Sequence, residues 1–455
     1  MKKMKLTFYG GAGTVTGSKI LLEVNYRKIL IDCGLFQGIK ELRNKNWERM
    51  PLDLNKLDLV ILTHAHLDHS GYLPLLVKDG YKGKIYCTSA TRDLAEIILL
   101  DSGKIQEEDS LRANKHQYTR HKPSLPLYTV EDAKTSLEQF KVLESNHWHK
   151  IERGIELKFV NSGHILGSVF VLIKVDGKTL VFSGDIGRKN PILLPQYEYI
   201  EKADYLVVES TYGNRLHEKT PISEKLLDYI EHTYKKGGIL IIPTFSVERA
   251  QEIIYLLSIL KREKRLPKIP IYLDSPMGVN ATEVYFKHKN NHKLTSEDVK
   301  SMLETVQLIS EASVSKTVVS DNSPKIVLAG SGMITGGRVL HYLDKCIEDE
   351  KNSILIVGFQ AEGTRGKSLL LGDPEIKFFG KYHDVKAEIF KINAFSGHAD
   401  QSELLDWLKH FKSPPTLTFI NHGESHQSQA LKVKIRTTLN WNCTVAEMNK
   451  TYTLL

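Results

Sequence analysis

The sequence predicts an α/β protein with two domains, one inserted into the other, and three stretches of the chain support that prediction. Residues 1–208 contain short apolar strands with tight turns, interrupted by helical patterns. In residues 209–384, apolar strands alternate with helices, which is typical of an open and mainly parallel sheet. Residues 385–455 return to strand-and-loop sequence. We therefore expect residues 1–208 and 385–455 to form one domain around the inserted domain of residues 209–384.

Strands and a hairpin account for the apolar segments of residues 1–208. Residues 28–32 and 57–62 are short, mostly aliphatic runs, as buried strands require. A hairpin is predicted over residues 170–182, because Asp176-Gly177 is a preferred two-residue turn between alternating strands. The periodicity of residues 90–109 predicts a helix. Polar motifs follow the strands, which places candidate functional residues at strand ends.

Four apolar strands are predicted in the inserted domain, at residues 239–242, 271–273, 326–329 and 354–357. Each of them runs into a polar or glycine-rich stretch. Ligands of parallel sheets bind at the carboxyl ends of the strands, where backbone N–H groups and helix N-termini suit anions. This domain is therefore expected to present an anion-binding edge.

Length and composition place the chain among ordinary globular proteins. Its 455 residues exceed the ~250–300 that one hydrophobic core usually serves, so at least two domains are expected. The content of 41% hydrophobic and 25% charged residues is close to the globular average, which excludes a disordered or fibrous chain. A formal charge of +8 favours a polyanionic partner such as nucleic acid. Because many basic proteins bind none, the chemistry of the site has to decide.

Cysteine usage and hydropathy together predict a cytoplasmic protein with no membrane partner. No apolar run approaches the roughly 18 residues of a membrane span, and the first residues lack an apolar targeting stretch. The cysteines form no CxxC pair, so neither a disulfide framework nor a thiolate zinc site is expected. Reduced and mostly buried thiols are predicted at Cys33, Cys87, Cys346 and Cys443.

The strongest chemical pattern is Thr63-His64-Ala65-His66-Leu67-Asp68-His69, which places four potential metal ligands directly after a buried strand. Catalytic zinc prefers imidazole and carboxylate ligands and keeps a position for water. Alternate residues of an extended loop face one way, so His64 and His66 are expected to share one ion. Asp68 and His69 then turn toward a second ion.

Two metal sites need more ligands than this one loop supplies. His164 and Asp185 are the distant candidates, because both lie at strand edges beside glycines that let the backbone approach closely. An aspartate carboxylate can bridge two cations, a role that suits Asp185.

The ligand candidates and one further aspartate, in this order, resemble the metallo-β-lactamase superfamily over nearly the whole chain: Asp32, His64, His66, Asp68, His69, His164 and Asp185. The resemblance implies an αββα sandwich with metals at its edge. The inserted region resembles the β-CASP branch, which is named for nucleases of RNA 3′-end processing and DNA repair. The three motifs of that branch are found at Val208-Glu209-Ser-Thr-Tyr-Gly, Phe395-Ser-Gly-His398-Ala-Asp and Asn421-His422-Gly-Glu.

Two zinc ions per chain are implied by the resemblance. The first would be held by His64, His66, His164 and Asp185, and the second by Asp68, His69, the shared Asp185 and His422. Asp32 is expected beside the ligands, where a carboxylate fixes the orientation of a ligand loop. The alternative for Asp32 is a turn residue at the end of its strand.

The third β-CASP motif is typically histidine in RNA-processing members and valine in DNA-repair members, so His422 implies single-stranded RNA as the substrate. Hydrolysis is expected to leave a 5′-phosphate and a 3′-hydroxyl. The resemblance implies Asp68, His398 and Glu209 as catalytic residues. His398 would donate a proton to the leaving 3′ oxygen, and the carboxylate of Glu209 would support the protonated form of His398. A helix-capping role for Glu209 and a satisfied buried role for His398 are the structural alternatives.

Strand-end loops are expected to hold the RNA backbone, through Ser396, Arg249, Thr335, Gly336, Gly337, Arg338 and Thr364. Tight turns explain the glycines of this set equally well. Arg365 replaces the apolar residue usual in the family, and either an added phosphate contact or a surface charge explains it. The early stretch Gly10-Gly-Ala-Gly-Thr-Val-Thr-Gly precedes a strand and not a helix, so a hairpin turn is preferred over a nucleotide-binding loop.

Two rival functions stay open at this stage. One is a DNA-repair-type nuclease of the same branch, and the other is a non-catalytic RNA-binding scaffold, since some β-CASP proteins have lost metal ligands. This sequence keeps every ligand. It is most similar to compact bacterial homologues of the cleavage and polyadenylation specificity factor endonuclease. Endonucleolytic or 5′-exonucleolytic action and a homodimeric state are left open.

Overall fold

The computed structural model describes residues 4–117, 121–218, 221–358, 360–392 and 395–454. Two compact units make up the chain, the first comprising Met1–Leu216 with His398–Leu455 and the second His217–Gly397. Within the described ranges, no helix combines the length and the apolar character that a membrane crossing needs.

The first part of the first unit alternates strands with helices. Its strands are β1 (Met4–Gly10), β2 (Lys19–Val24), β3 (Arg27–Ile31), β4 (Leu59–Ile61), β5 (Lys84–Cys87), β6 (Phe140–Val142), β7 (His149–Glu152), β8 (Ile155–Asn161), β9 (Val169–Val175), β10 (Lys178–Phe182) and β11 (Tyr205–Glu209). Its helices are α1 (Lys40–Asn44), α2 (Leu67–Ser70), α3 (Leu73–Lys78), α4 (Ser89–His116) and α5 (Val130–Leu137).

The second unit and the return to the first follow in the chain. The second unit contains α6 (Ile222–Lys235), β12 (Leu240–Pro243), α7 (Arg249–Arg262), β13 (Ile271–Asp274), α8 (Pro276–Lys287), α9 (Ser296–Thr305), β14 (Gln307–Ile309), α10 (Ala312–Ser320), β15 (Ile326–Ala329), α11 (Val339–Cys346), β16 (Ser353–Ile356), α12 (Arg365–Leu371), β17 (Glu375–Phe378), β18 (Lys381–Asp384) and β19 (Glu388–Lys391). The first unit resumes with α13 (Gln401–Lys409), β20 (Leu417–Asn421), α14 (Ser425–Leu439), β21 (Cys443–Val445) and β22 (Thr451–Leu454).

An αββα sandwich forms the first unit, which confirms the predicted fold. One sheet has the order β22-β1-β2-β3-β4-β5-β6, and the other has the order β21-β20-β11-β10-β9-β8-β7. The two sheets share one buried apolar cluster, to which Phe8 and Leu22 contribute from the first sheet and Phe159 and Phe182 from the second. Trp407 of α13 packs in a second cluster on the outer face of the second sheet. On the other side of the sandwich, α4 contacts β6.

The hairpin predicted over residues 170–182 is confirmed. Val175 of β9 pairs with Lys178 of β10 in antiparallel register. Between them, Asp176 and Gly177 both have positive φ angles, 49° and 75°, as the turn that matches strand twist requires. The helix predicted over residues 90–109 is longer in the structure and runs over Ser89–His116, because Ser110 and Ala113 continue its buried face.

The six-stranded sheet of the second unit has the order β14-β13-β15-β12-β16-β19, and all its strand pairs are parallel. This confirms the predicted open parallel sheet. The sequence placed the end of the inserted domain after residue 384. In the structure, β19 adds an outer strand to this sheet, because Ile389 pairs beside Ile354 of β16.

Candidate metal centre

Candidate site residues lie at the carboxyl ends of neighbouring parallel strands. Asp185 follows β10, Glu209 ends β11 and His422 follows β20, and these three strands pair in parallel. Parallel strands carry their carboxyl ends to the same edge of a sheet, so these side chains share one edge. The Thr63–His69 loop follows β4 of the other sheet, and the carbonyl of Thr63 accepts a hydrogen bond of 3.0 Å from the N–H of Val169.

Three histidines and one aspartate form the first donor group. Nδ1 of His66 lies 3.2 Å from Nε2 of His64 and 3.1 Å from Nε2 of His164. Oδ2 of Asp185 lies 3.4 Å from each of those two Nε2 atoms. The four predicted ligands of the first ion therefore converge on one point.

The second donor group consists of Asp68, His69 and His422. Nε2 of His422 lies 3.0 Å from Nε2 of His69 and 3.5 Å from Oδ2 of Asp68. Oδ1 of Asp185 lies 3.3 Å from Nε2 of His69 and 3.4 Å from Nδ1 of His422. Asp185 thus turns one oxygen to each group, which is the arrangement of a bridging carboxylate.

Asp32 and Thr63 orient the ligand histidines from behind. Oδ2 of Asp32 accepts a hydrogen bond of 2.7 Å from Nδ1 of His69 and one of 3.0 Å from the Thr63 hydroxyl. That hydroxyl lies 3.0 Å from Nδ1 of His64. Since the Nδ1 atoms are occupied by these bonds, Nε2 is the ring nitrogen that faces the donor groups in both histidines. Thr63 was not predicted as a site residue, although its place between β4 and His64 was a usable signal.

The charges of the metal-free groups suit cation binding. Burial lowers the pKa of His64 well below its usual value and that of His66 to about 4, so both rings are neutral near pH 7. Burial raises the pKa of Asp185, but the surrounding imidazoles outweigh this effect and hold the pKa well below its ordinary value. For His69, burial lowers the pKa, but the carboxylates of Asp185 and Asp32 outweigh burial, so the pKa of His69 lies well above its ordinary value. A proton on His69 is therefore released when a cation binds.

The spacing of the donor atoms fits zinc. Bonds of about 2.0–2.1 Å in a tetrahedral site place neighbouring donors roughly 3.4 Å apart. In the second group the closest donor pairs are 3.0 and 3.5 Å apart. Oδ1 of Asp185 is buried without a hydrogen-bond partner among the described residues, although a buried charged oxygen is costly unless something compensates it. In this metal-free chain the protonated ring of His69, whose Nε2 lies 3.3 Å away, offsets the charge of that oxygen, and a cation between the groups would take its place.

His398 and Glu209 form an ion pair beside Asp185. Nδ1 of His398 lies 3.2 and 3.3 Å from the two carboxylate oxygens of Glu209 and 4.0 Å from Oδ2 of Asp185. Glu209 accepts further hydrogen bonds from the N–H groups of Ile186, at 2.6 Å, and Thr211, at 3.2 Å. Burial lowers the pKa of His398, but the charges of Glu209 and Asp185 outweigh it and raise the pKa to about 9. The imidazolium form therefore persists at neutral pH.

The predicted phosphate-binding residues all lie in the second unit, in varied surroundings. Arg249 is 7% exposed and pairs with Glu252, and Arg338 pairs with the buried Asp274. Thr364 accepts a hydrogen bond from a backbone N–H in the first turn of α12 and thereby caps that helix. The guanidinium groups of Arg249 and Arg338 are therefore both paired with carboxylates of the same unit.

The glycine-rich loop of residues 331–337 is held by Arg365. Nη1 of Arg365 donates hydrogen bonds of 3.1 Å to the carbonyls of Ile334 and Thr335. The structure thus gives Arg365 a loop-bracing role that the sequence analysis did not consider. Gly337 has a φ of 76°, as the tight turn expected of this loop requires. A Cβ atom added at Gly336 would have no neighbouring atom within 4 Å. Ser396, the last member of the predicted set, is buried.

Replacing Asp32 with asparagine is expected to weaken zinc binding about 10- to 100-fold, the usual cost of losing an outer partner of a metal ligand. The amide keeps the volume of the carboxylate but removes the charge that holds Nδ1–H of His69. Zinc affinity measured against a competing chelator tests this, with the exposed Asp79→Asn as a control of equal charge change. Wild-type affinity in Asp32→Asn would show that Asp32 does not orient the ligands.

Three family models match successive parts of the chain. Residues 21–208 match the metallo-beta-lactamase superfamily domain, residues 250–369 the Beta-Casp domain, and residues 382–446 the Zn-dependent metallo-hydrolase RNA specificity domain.

Several characterised proteins are similar along most of their length. A ribonuclease of Thermus thermophilus is 37% identical over 94% of this chain and 95% of its own. An RNase J-like protein of Methanocaldococcus jannaschii is 33% identical over 95% of this chain and 96% of its own. A transcription termination factor of Methanosarcina mazei is 31% identical over 92% of this chain and 67% of its own. Among solved structures, a protein of unknown function from Enterococcus faecalis shares the fold, with a TM-score of 0.54 and 13% identity over 100% of both chains.

Proposed function

Because this chain belongs to the β-CASP family of metal-dependent hydrolases in the metallo-β-lactamase superfamily, we propose that it is a two-zinc ribonuclease. Its substrate would be single-stranded RNA, cut into products with a 5′-phosphate and a 3′-hydroxyl. The observation that carries the proposal is the pair of donor groups that share Asp185, with the His398–Glu209 pair beside them.

The choice of RNA is supported by two observations. His422, the residue that is histidine in RNA-processing members, contributes its ring to the second donor group, 3.0 Å from His69. The C-terminal residues 382–446 match the RNA specificity domain, and relatives named ribonuclease cover nearly the whole chain.

Each part of the site has a defined task in the proposed reaction. Zinc ions held by the two donor groups would supply Lewis-acid activation of water and of a phosphate oxygen. Asp185 keeps both groups together, and Asp32 keeps the ring of His69 in place. When the P–O3′ bond breaks, His398 donates a proton to the 3′ oxygen of the leaving ribose. Glu209, paired with Nδ1 of His398, keeps the ring protonated, so that Nε2 carries the proton to be donated.

Matched RNA and DNA strands of one sequence test this function. With zinc supplied, we expect RNA to be cleaved at least about 100-fold faster than DNA, and mass spectrometry to find 5′-phosphate and 3′-hydroxyl ends. RNA labelled internally and at its 5′ end separates endonucleolytic cuts, which we propose, from 5′-exonucleolytic removal. Preferential cleavage of DNA would favour the DNA-repair type. RNA bound without zinc and without cleavage would favour the scaffold.

A further inference from the structure

Helix α14, Ser425–Leu439, is basic in its C-terminal half. It contains Lys432, Lys434 and Arg436 but no aspartate or glutamate. Among the described residues, none of these three cations takes part in an ion pair. A helix whose positive charges lack partners leaves a field that attracts anions.

Two of these cations lie on one face, at the end of a polar stripe. Leu431 and Ile435 are buried against the core. Lys432 and Arg436 are four residues apart, so they lie next to each other on one face of the helix. Ser425 and Gln429 continue the same stripe toward the start of the helix, and both are exposed.

An open groove of about 740 Å³ lies at the C-terminal end of this face. Lys432 and Arg436 line it from α14, and Asn440, Trp441 and Asn442 line it from the segment that follows. No acidic side chain is among the lining residues. Trp441 is only 7% exposed, so the groove offers cations and amides but no open aromatic face on which a base could stack.

The stripe leads away from the metal centre. α14 begins three residues after His422, and its rise of about 1.5 Å per residue places Lys432 and Arg436 roughly 10 and 17 Å beyond its first residue. At about 3.4 Å per phosphate of a stacked strand, that distance corresponds to roughly five nucleotides. A polyanion that crosses the metal centre can therefore continue along the helix.

We propose that the basic face of α14, formed by Lys432 and Arg436, binds the sugar–phosphate backbone of the RNA outside the cleavage site. This inference rests on the proposed function. Because the groove presents cations without exposed aromatic rings, the contact reads no sequence and serves to position the strand. A repeating polyanion fits two cations spaced along a helix with no acidic neighbour.

The test is RNA binding by Lys432→Gln with Arg436→Gln in one chain. The background is His398→Ala, which keeps the RNA intact, and the probe is a fluorescent 30-nucleotide RNA titrated at 50 to 200 mM salt. The control is Lys434→Gln with Arg153→Gln in one chain, which also removes two positive charges. Lys434 lies on the opposite side of α14 from Lys432 and Arg436, and Arg153 lies in an exposed turn. Melting temperatures show whether each variant keeps its fold.

Each phosphate contact contributes about 0.7 to the slope of log affinity against log salt for single strands. We therefore expect the Lys432/Arg436 variant to lose about 1.4 from the slope and on the order of tenfold in affinity at 100 mM salt, equally for two unrelated RNA sequences. The control should keep the parent slope. An unchanged slope, or a loss equal to that of the control, would overturn the inference, as would a parent that binds no RNA at 50 mM salt. Wild-type protein that binds RNA with this slope but never cuts it would instead contradict the proposed function alone.

Discussion

Asp185→Asn is expected to lower the rate of RNA cleavage by about a thousandfold or more. Its two oxygens lie 3.3 to 3.4 Å from ring nitrogens of both donor groups, so its charge would serve both of the proposed cations at once. Metal stabilisation of a developing phosphate charge is worth several kcal/mol, and each 1.36 kcal/mol is a factor of ten in rate. Asparagine keeps the shape of the side chain and removes the charge, which isolates the electrostatic contribution.

Single-turnover cleavage and zinc content, measured on the same preparation, check this prediction. Asp176→Asn in the β9–β10 turn is the matched control, because it removes an aspartate charge from the same unit away from the ligands. That control should cleave RNA like the wild type. An Asp185→Asn chain with full zinc content and near-normal rate would show that the carboxylate does not bridge the groups.

The second large effect is expected at His398, which should matter for chemistry and not for metal binding. His398→Ala removes the proposed proton donor, and general acid catalysis typically contributes 10²- to 10⁴-fold. We expect a loss in that range with both zinc ions retained, because Nδ1 of His398 is paired with Glu209 at 3.2 Å and lies farther, 4.0 Å, from the shared Asp185. Loss of zinc from this variant would assign His398 a ligand role instead, and wild-type turnover would remove it from the mechanism.

The pH profile separates this role from simple packing. A donor must be protonated, so activity is present below the pKa of His398 and falls as the pH rises through it. In the metal-free chain burial lowers that pKa, and the charges of Glu209 and then Asp185 raise it to about 9. Cations bound to Asp185 offset part of its charge, so the alkaline limb is expected at or below that value.

Glu209→Gln should move the alkaline limb to lower pH, because it removes the larger of the two charges that raise the pKa of His398. Rates measured across the pH range for the wild type and this variant provide the comparison. A limb that stays in place, with only a uniform loss of rate, would assign Glu209 a packing role.

Most of the donor residues that the structure brings together could be picked out from the sequence because they follow strand ends, whereas His422 was implied by the family resemblance. A buried strand fixed where the His64–His69 segment had to lie, and glycines beside His164 and Asp185 marked other edges. The hairpin at Asp176-Gly177 was likewise local, since two residues with positive φ decide it. Local chemistry of this kind is visible in one stretch of sequence.

Long-range partners were not visible in the same way. Nothing in one segment shows that Thr63 bonds to Asp32, or that Arg365 donates to Ile334 and Thr335, because these contacts join distant parts of the chain. Strand-end loops suggested phosphate contacts for Arg249 and Arg338; the structure pairs each with a carboxylate of its own unit, and the phosphate contacts stay a prediction. The position at which the inserted domain ends could not be read from the sequence for the same reason, because β19 is recognised only by its pairing with β16.

The number of zinc ions bound per chain, counted after reconstitution and removal of free metal, tests whether the two donor groups hold one cation each. Two ions are expected in the wild type. His164→Ala and His422→Ala, which change one donor group each, should retain about one ion apiece. A wild-type chain that binds no zinc, or variants that keep both ions, would contradict the account.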